Sequence, residues 1–107
     1  MKRRNISVNQ LYDMLLDIYE KPVIIYNDKI IGISVKEDLI YIYNAYYFRE
    51  HVKSAGFFWD NEAKAWIGDI SCMLRMEPNI LVRFLFASSK RSRENLINLL
   101  KSLVVSD

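Results

Sequence analysis

The sequence predicts a small α+β domain with helices packed on one face of a mostly antiparallel sheet. Two observations predict it: apolar residues recur at helical spacing near both ends of the chain, and short Ile-, Val- and Tyr-rich segments joined by short turns lie between. The expected order is α-β-β-β-α-β-β-(α)-β-α. With 107 residues, 51% of them apolar, and only three Gly and two Pro, residues 1–107 are expected to form one domain whose basic N-terminus, residues 1–5, is disordered.

The first predicted helix runs from Ser7 to Glu20. Its apolar residues recur at helical spacing, at Val8, Leu11, Tyr12, Leu15 and Tyr19. Ser7 and Gln10 have the spacing of a capping box, in which each side chain accepts a hydrogen bond from the other residue's backbone. Pro22 is expected to stop the helix because it has no N–H to donate.

Three strands are predicted next, over Val23–Tyr26, Ile30–Val35 and Leu39–Tyr43. Asn27 and Asp28 tolerate left-handed backbone and favour a tight turn between the first two strands. In the third strand, alternation puts Tyr41 and Tyr43 on one face of the sheet.

A helix followed by a hairpin is predicted from Ala45 to Gly68. Asn44 is expected to cap a helix over Ala45–Ala55, and Gly56 to end it in a conformation with positive φ. The hairpin has strands over Phe57–Trp59 and Ala65–Gly68, with its turn over Asp60–Lys64.

The C-terminal third is predicted to hold a short helical turn, a strand and a helix. Asp69 or Ser71 caps the turn over Met73–Met76. The apolar run Ile80–Phe86 indicates a covered strand. Ser88 and Ser89 cap a final helix that ends near Val104.

Several classes of protein are disfavoured by composition. The apolar runs are too short to cross a membrane, the N-terminus lacks the apolar region of a signal peptide, and we expect a cytoplasmic protein. One Cys and one His exclude an internal disulfide and a zinc cluster. Nothing near Cys72 and His51 supports a nucleophile–base pair, and Asp60 and Glu62 belong to a turn where acidic residues are common. We expect no enzymatic activity, no cofactor and no metal.

Basic charge is concentrated in two short patches, although the net charge is only +2. One patch is Lys2, Arg3 and Arg4. The other, Lys90, Arg91 and Arg93, lies at the start of the last helix, where cations are unfavourable unless something negative compensates them. A phosphate at this helix end would do so. The alternative is that both patches are solvated ends.

Aromatic residues make up 13% of the chain and are interleaved with cations in its central part. Exposed aromatic rings can stack nucleobases while Lys and Arg hold phosphates. The aromatic candidates are Tyr41, Tyr43, Tyr46, Tyr47, Phe58, Trp59 and Trp66, with Arg49, Lys53 and Lys64 near them in sequence. The alternative is that these rings pack in the core.

The segment from Phe48 to Trp66 resembles a motif of small bacterial, plasmid and phage domains of unknown function, and is similar to the repeat preceding the motor in HARP-type annealing helicases. The matching residues are Phe48, Val52-Lys53-Ser54-Ala55-Gly56-Phe57-Phe58-Trp59-Asp60 and Lys64-Ala65-Trp66. The resemblance implies binding to DNA forks or structured nucleic acid. Phe58 departs from the motif, which has a basic residue at this position.

Two functions follow as hypotheses. The first is a non-enzymatic DNA- or RNA-binding protein of a virus or plasmid, with phosphate contacts from Arg49, Lys53, Lys64, Lys90, Arg91 and Arg93. The second is a protein–protein interaction module that inhibits or adapts a host complex, as in counter-defence. The apolar residues of the last helix, Leu96, Ile97, Leu99, Leu100, Leu103, Val104 and Val105, also suggest a homodimer contact.

Overall fold

Helices cover one face of a four-stranded antiparallel sheet in the computed structural model, which describes residues 5–104. The predicted α+β class is therefore confirmed. Within this range the helices are α1 (Val8–Ile18), α2 (Arg49–Ser54), α3 (Ile70–Arg75), α4 (Pro78–Phe86) and α5 (Lys90–Lys101), with a 3-10 turn over Tyr46–Phe48 before α2. The prediction of a disordered N-terminus falls almost wholly on residues 1–4, which lie outside the described residues.

Most of the predicted helix caps are present. The Ser7 hydroxyl accepts a hydrogen bond from the Gln10 backbone at 3.1 Å, and the Gln10 side chain accepts one from the Ser7 backbone at 2.7 Å. The Asp69 side chain accepts from the Cys72 N–H at the start of α3, and the Ser89 hydroxyl accepts from the Ser92 N–H at the start of α5. Each cap satisfies N–H groups that have no partner inside the helix.

The sheet has strands β1 (Gly32–Lys36), β2 (Leu39–Tyr43), β3 (Phe58–Asp60) and β4 (Ala65–Gly68), in the spatial order β1-β2-β4-β3. The chain leaves central strand β2 through α2, forms the β3 edge, and returns as β4 beside β2. Register then decides which side chains share a face, since directly paired residues point the same way. One row, facing the helices, is Ile33, Ile42, Trp66 and Trp59; a row on the opposite face is Ser34, Tyr41, Ile67 and Phe58.

The predicted strand over Val23–Tyr26 is wrong. The backbone of this segment forms isolated hydrogen bonds and no ladder: the Ile24 N–H donates to the Phe86 carbonyl at 2.9 Å, and Tyr26 forms an isolated bridge with Lys29. The turn between them is present, with φ of 53° at Asn27 and 58° at Asp28. Asn27 and Asp28 therefore form the predicted turn, but no neighbouring strand is available to pair with Val23–Tyr26.

The predicted strand over Ile80–Phe86 is also wrong, because these residues form most of α4. Pro78 occupies the first turn, and the Glu77 side chain accepts a hydrogen bond from the Ile80 N–H at 3.1 Å. Leu81, Phe84 and Leu85 are buried at helical spacing. An apolar run of this length fits a buried strand and a buried helix equally well, and here the start signals at residues 77–78 are decisive.

Asn44 does not cap α2, contrary to prediction. It has left-handed backbone with φ of 62°, and its side-chain amide donates to the Ile30 carbonyl at 3.3 Å. Helix α2 begins only after the 3-10 turn and is shorter than predicted. Its end is as predicted, with Gly56 at φ of 110°.

Helix α5 uses most of its apolar side chains within the domain. Leu96, Ile97 and Leu100 are buried in the common core with residues of α1, the sheet and α4. Leu103 is 42% exposed, while Val105 lies outside the described residues. A dimer contact through this helix would therefore depend on few apolar side chains, chiefly Leu99 and Leu103.

Candidate nucleic-acid interface

Five of the residues singled out from the sequence line one cleft of about 440 Å³, on the helix-bearing side of the sheet. We call it the aromatic cleft. Tyr46 and Arg49 line it from the segment that leads into α2, together with Asn44 and Ala45. The β3–β4 hairpin contributes Trp59 and Trp66 from its strands and Lys64 from its turn. Its volume lies within the range of small-ligand pockets, about 300–1,000 Å³.

The two tryptophans are brought together by strand register. Trp59 and Trp66 are directly paired across β3 and β4, and their rings meet edge to face with centroids 5.6 Å apart. Trp66 packs against the hydrophobic core, whereas Trp59 is 47% exposed. The expectation of core packing thus applies to Trp66, while Trp59 presents its ring to solvent.

Arg49 is held against the ring of Tyr46. Its guanidinium carbon lies 3.8 Å from the Tyr46 ring centroid, and its Nη1 donates to the Tyr46 carbonyl at 2.9 Å. Tyr46 is 67% exposed. The carboxylate of Glu50 lies 4.0 Å from Arg49 but is itself well exposed, so it neutralises little of the arginine's charge. Arg49 therefore offers a planar cation that is already oriented.

Lys64 contributes the second cation of the cleft from a strained position. Its φ is 56°, in the left-handed region that non-glycine residues rarely adopt, and its N–H closes the turn on the Asp60 carbonyl at 2.8 Å. Its Nζ donates to the side chain of Asn61 at 3.2 Å. No carboxylate within residues 5–104 lies at ion-pair distance from it. Its charge remains available to a ligand.

The combination of three aromatic rings and two cations determines which ligand chemistry fits. Rings alone can hold a quaternary ammonium group, but Arg49 and Lys64 would repel it. A ligand with an aromatic part and a negative charge satisfies both components, and a nucleotide has both.

The remaining predicted cations lie outside the cleft. Lys53 is exposed on α2, one helical turn beyond Arg49. Lys90 pairs with Glu20 at 2.7 Å and lies 4.9 Å from the Tyr19 ring centroid; Glu20 raises the pKa of Lys90. Arg91 is exposed next to it. The patch at the start of α5 thus does not join Arg49 and Lys64 in one site.

The prediction that Arg93 contacts phosphates is wrong. Its side chain is fully buried, and burial lowers the pKa of Arg93. Its guanidinium donates to backbone carbonyls at the ends of two helices. Two are those of Ile18, the last residue of α1, and Lys21, just beyond it, both at 2.7 Å. The others are those of Leu85 and Phe86 at the end of α4, at 3.2 and 3.0 Å. These groups need donors because helix ends leave carbonyls unpaired.

Arg93 is therefore unavailable to a phosphate, and the crowding of cations at the start of α5 is compensated within the domain. Glu20 compensates Lys90, and the carbonyls compensate Arg93. The spacing of Arg93 in the sequence indicates that it is buried. Arg93 precedes Leu96, Ile97 and Leu100 by three, four and seven residues, which puts it on the apolar face of the helix.

Comparison with protein-family models, with curated proteins and with solved structures finds no match to this chain. Across residues 5–104, no helix has the length and apolar character needed to cross a membrane. In the same range no three His, Cys, Asp or Glu residues are grouped so that they could hold a metal ion.

Proposed function

We propose that this protein binds single-stranded nucleic acid without catalysing a reaction, and that the aromatic cleft receives an unpaired base. The observation that supports this is the presence of two cations in a cleft lined by the rings of Tyr46, Trp59 and Trp66. Lys64 has no carboxylate of residues 5–104 at ion-pair distance, and Arg49 has only the exposed Glu50 at 4.0 Å. Single-strand binders combine these two elements, since rings stack bases of any sequence and cations follow the phosphates.

Each side chain has a distinct role in this proposal. The exposed ring of Trp59 stacks the base, and the Arg49 guanidinium, which lies over the Tyr46 ring, covers part of the base from the other side. Lys64 pairs with a phosphate at the mouth of the cleft, and Lys53 meets a second phosphate one helical turn away. A base in a duplex has both faces covered by its neighbours, so an unpaired base suits the cleft best.

The resemblance of residues 48–66 to the repeat of HARP-type annealing helicases supports the same class of partner. The motif's basic residue is Phe58 in this chain, and Phe58 lies on the sheet face opposite the cleft. Loss of that cation therefore leaves the residues of the cleft unchanged.

The test is binding of a fluorescently labelled oligothymidine, compared with a duplex of the same length, by anisotropy over a range of salt concentrations. We expect binding of the single strand that weakens linearly in a log–log plot against salt. Lys64→Gln should weaken it, whereas Lys29→Gln, an exposed lysine in the turn after residue 26, should not. Absence of binding to single strands at about 50 mM salt would rule the proposal out.

A protein–protein interaction module is the second candidate, supported by a different observation. Ile24, Ile25 and Ile30 are 48%, 56% and 41% exposed around the turn at residues 26–29. Large apolar side chains exposed close together in a chain are typical of contact surfaces. The test is capture of a host protein that survives nuclease treatment, is lost in Ile25→Lys, and is retained in Trp59→Ala. Capture that nuclease abolishes would contradict this candidate.

A further inference from the structure

The sheet face turned away from the helices bears a second set of aromatic side chains. Phe58 of β3 is paired with Ile67 of β4, and Ile67 with Tyr41 of β2, so all three point to this face. Phe58 is 60% exposed, while Ile67 is buried although it lies outside the main core. Ile67 is thus covered by its neighbours on this face. We call Phe58, Tyr41, Tyr43 and Lys36 the open strip.

The open strip carries a cation as well as rings. Lys36 Nζ lies 5.1 Å from the Tyr41 ring centroid, and no carboxylate of residues 5–104 is at ion-pair distance from it. The strip therefore repeats the chemistry of the aromatic cleft, an exposed ring with an unneutralised cation beyond it.

Edge strand β3 connects the two surfaces. Trp59 points into the cleft and its neighbour Phe58 points onto the strip, so only the thickness of one strand separates the two rings. Strand β3 lies at the edge of the sheet and is three residues long. Such a short edge is a poor template for pairing with another strand, which leaves it free to be crossed by a ligand.

We propose that one bound single strand passes from the aromatic cleft around β3 onto the open strip, where Phe58 and Tyr41 stack further bases and Lys36 meets a phosphate. This inference rests on the proposed function. Phe58 and Tyr41 are two strand spacings apart, about 10 Å, which is more than one base can cover. The strip therefore contributes only to the binding of oligomers, and a dinucleotide engages the cleft alone.

The experiment compares Phe58→Ala and Trp59→Ala with two probes, a dinucleotide and an oligothymidine of about 12 nucleotides, within the site sizes usual for single-strand binders. Phe58→Ala should lower the affinity for the longer probe about tenfold or more and leave the affinity for the dinucleotide unchanged. Trp59→Ala should lower the affinity for both probes. Lys36→Gln should lower the salt dependence for the longer probe by about 0.7 in log–log slope, with no change for the dinucleotide.

The outcomes separate this inference from the proposed function. If Phe58→Ala binds the longer probe with wild-type affinity, or loses affinity equally for both probes, the open strip does not bind the single strand. Either result leaves the proposed role of the aromatic cleft intact. Failure of the wild-type protein to bind either probe overturns both. Urea denaturation of Phe58→Ala, in which a small loss of stability is expected because Phe58 covers part of Ile67, shows that the variant is folded under the conditions of the binding assay.

Discussion

Trp59 and Trp66 lie directly opposite each other across the β3–β4 hairpin, in edge-to-face contact at 5.6 Å, yet only Trp66 packs against the core. The partly buried ring of Trp66 anchors the hairpin to the domain, and the exposed ring of Trp59 packs against it. A rigid exposed ring is a better stacking surface than a mobile one, because less conformational freedom is lost when a ligand binds.

The first prediction separates the two tryptophans. Trp66→Ala should lower the free energy of unfolding by about 2–4 kcal/mol, as expected for a large ring packed on a core. Trp59→Ala should lower it by about 1 kcal/mol, the contribution of an aromatic pair, and weaken single-strand binding by about 1–3 kcal/mol. Urea denaturation and anisotropy measure the two effects. Equal effects of both substitutions on stability would contradict this assignment.

The second prediction separates stacking from charge at Arg49 and Lys64. Arg49→Lys keeps the charge and loses the planar group, so affinity should fall by about tenfold while the salt dependence is retained. Lys64→Gln should instead reduce the log–log salt slope by about 0.7 for one lost phosphate contact. If Arg49→Lys changes the slope and leaves the affinity at low salt intact, Arg49 contacts a phosphate and does not stack.

The third prediction concerns the strained backbone of Lys64. Glycine adopts a φ of 56° without strain, so Lys64→Gly should stabilise the fold by about 0.5–1 kcal/mol after its larger loss of chain entropy. It should also weaken nucleic-acid binding, since the cation is removed. The matched control is Glu37→Gly, at a φ of 57° in the β1–β2 turn, which should stabilise similarly without affecting binding. A destabilised Lys64→Gly variant would contradict the strain argument.

The fourth prediction tests the structural role of Arg93. Lys cannot reach the carbonyls at both helix ends with its single ammonium group, so Arg93→Lys should lower the free energy of unfolding by about 2–4 kcal/mol. Arg91→Lys, on the exposed side of the same helix, should change it by less than about 0.5 kcal/mol. Urea denaturation measures the free energy of unfolding of each variant, provided that its dependence on urea concentration (the m-value) is the same as in the wild type. Similar stability of both variants would show that the Arg93 contacts are dispensable.

The fifth prediction is a pH dependence at the cap of α3. The Ser71 hydroxyl, 2.6 Å away, and the Cys72 N–H lower the pKa of Asp69 because they stabilise its ionised form. Its contribution to stability is therefore complete above the pKa of Asp in the unfolded chain and is lost as pH falls through the lower, folded value. Asp69→Ala should cost about 1 kcal/mol at neutral pH, the usual value of such a cap. Acid titration of both proteins should show this difference shrinking only below about pH 4. A difference that stays constant into strong acid would contradict it.

Local features of this fold were predictable because they depend on residues close together in the chain. The capping box at Ser7 and Gln10 and the left-handed residue Gly56 after α2 each require only neighbours within a few positions. The β3–β4 hairpin was predictable for the same reason. The helix over Ile80–Phe86 is not predictable from its pattern, because an apolar run lacks a period that tells helix from strand. The irregular backbone of Val23–Tyr26 is not predictable either, because strand formation needs a partner elsewhere in the chain.

The candidate site divides in the same way. The cations and rings of the cleft lie within one segment of the sequence, at Arg49, Trp59, Lys64 and Trp66. Lys90 and Arg91 share only their charge with that segment and lie apart from the cleft. Arg93 and Arg91 carry the same charge two residues apart, yet Arg93 is buried and Arg91 is exposed. Charge does not distinguish them, whereas the helical spacing of Arg93 to Leu96, Ile97 and Leu100 does.

Most of the helix caps, the turns and the composition of the aromatic and basic segment follow from the sequence alone, because they depend on short-range backbone and side-chain preferences. Packing in three dimensions brings the rings of Tyr46, Trp59 and Trp66 to two cations in one cleft, and it joins the ends of α1 and α4 through Arg93. Register and helix packing bring together residues far apart in the chain, and the burial they impose determines which charges remain available to a ligand.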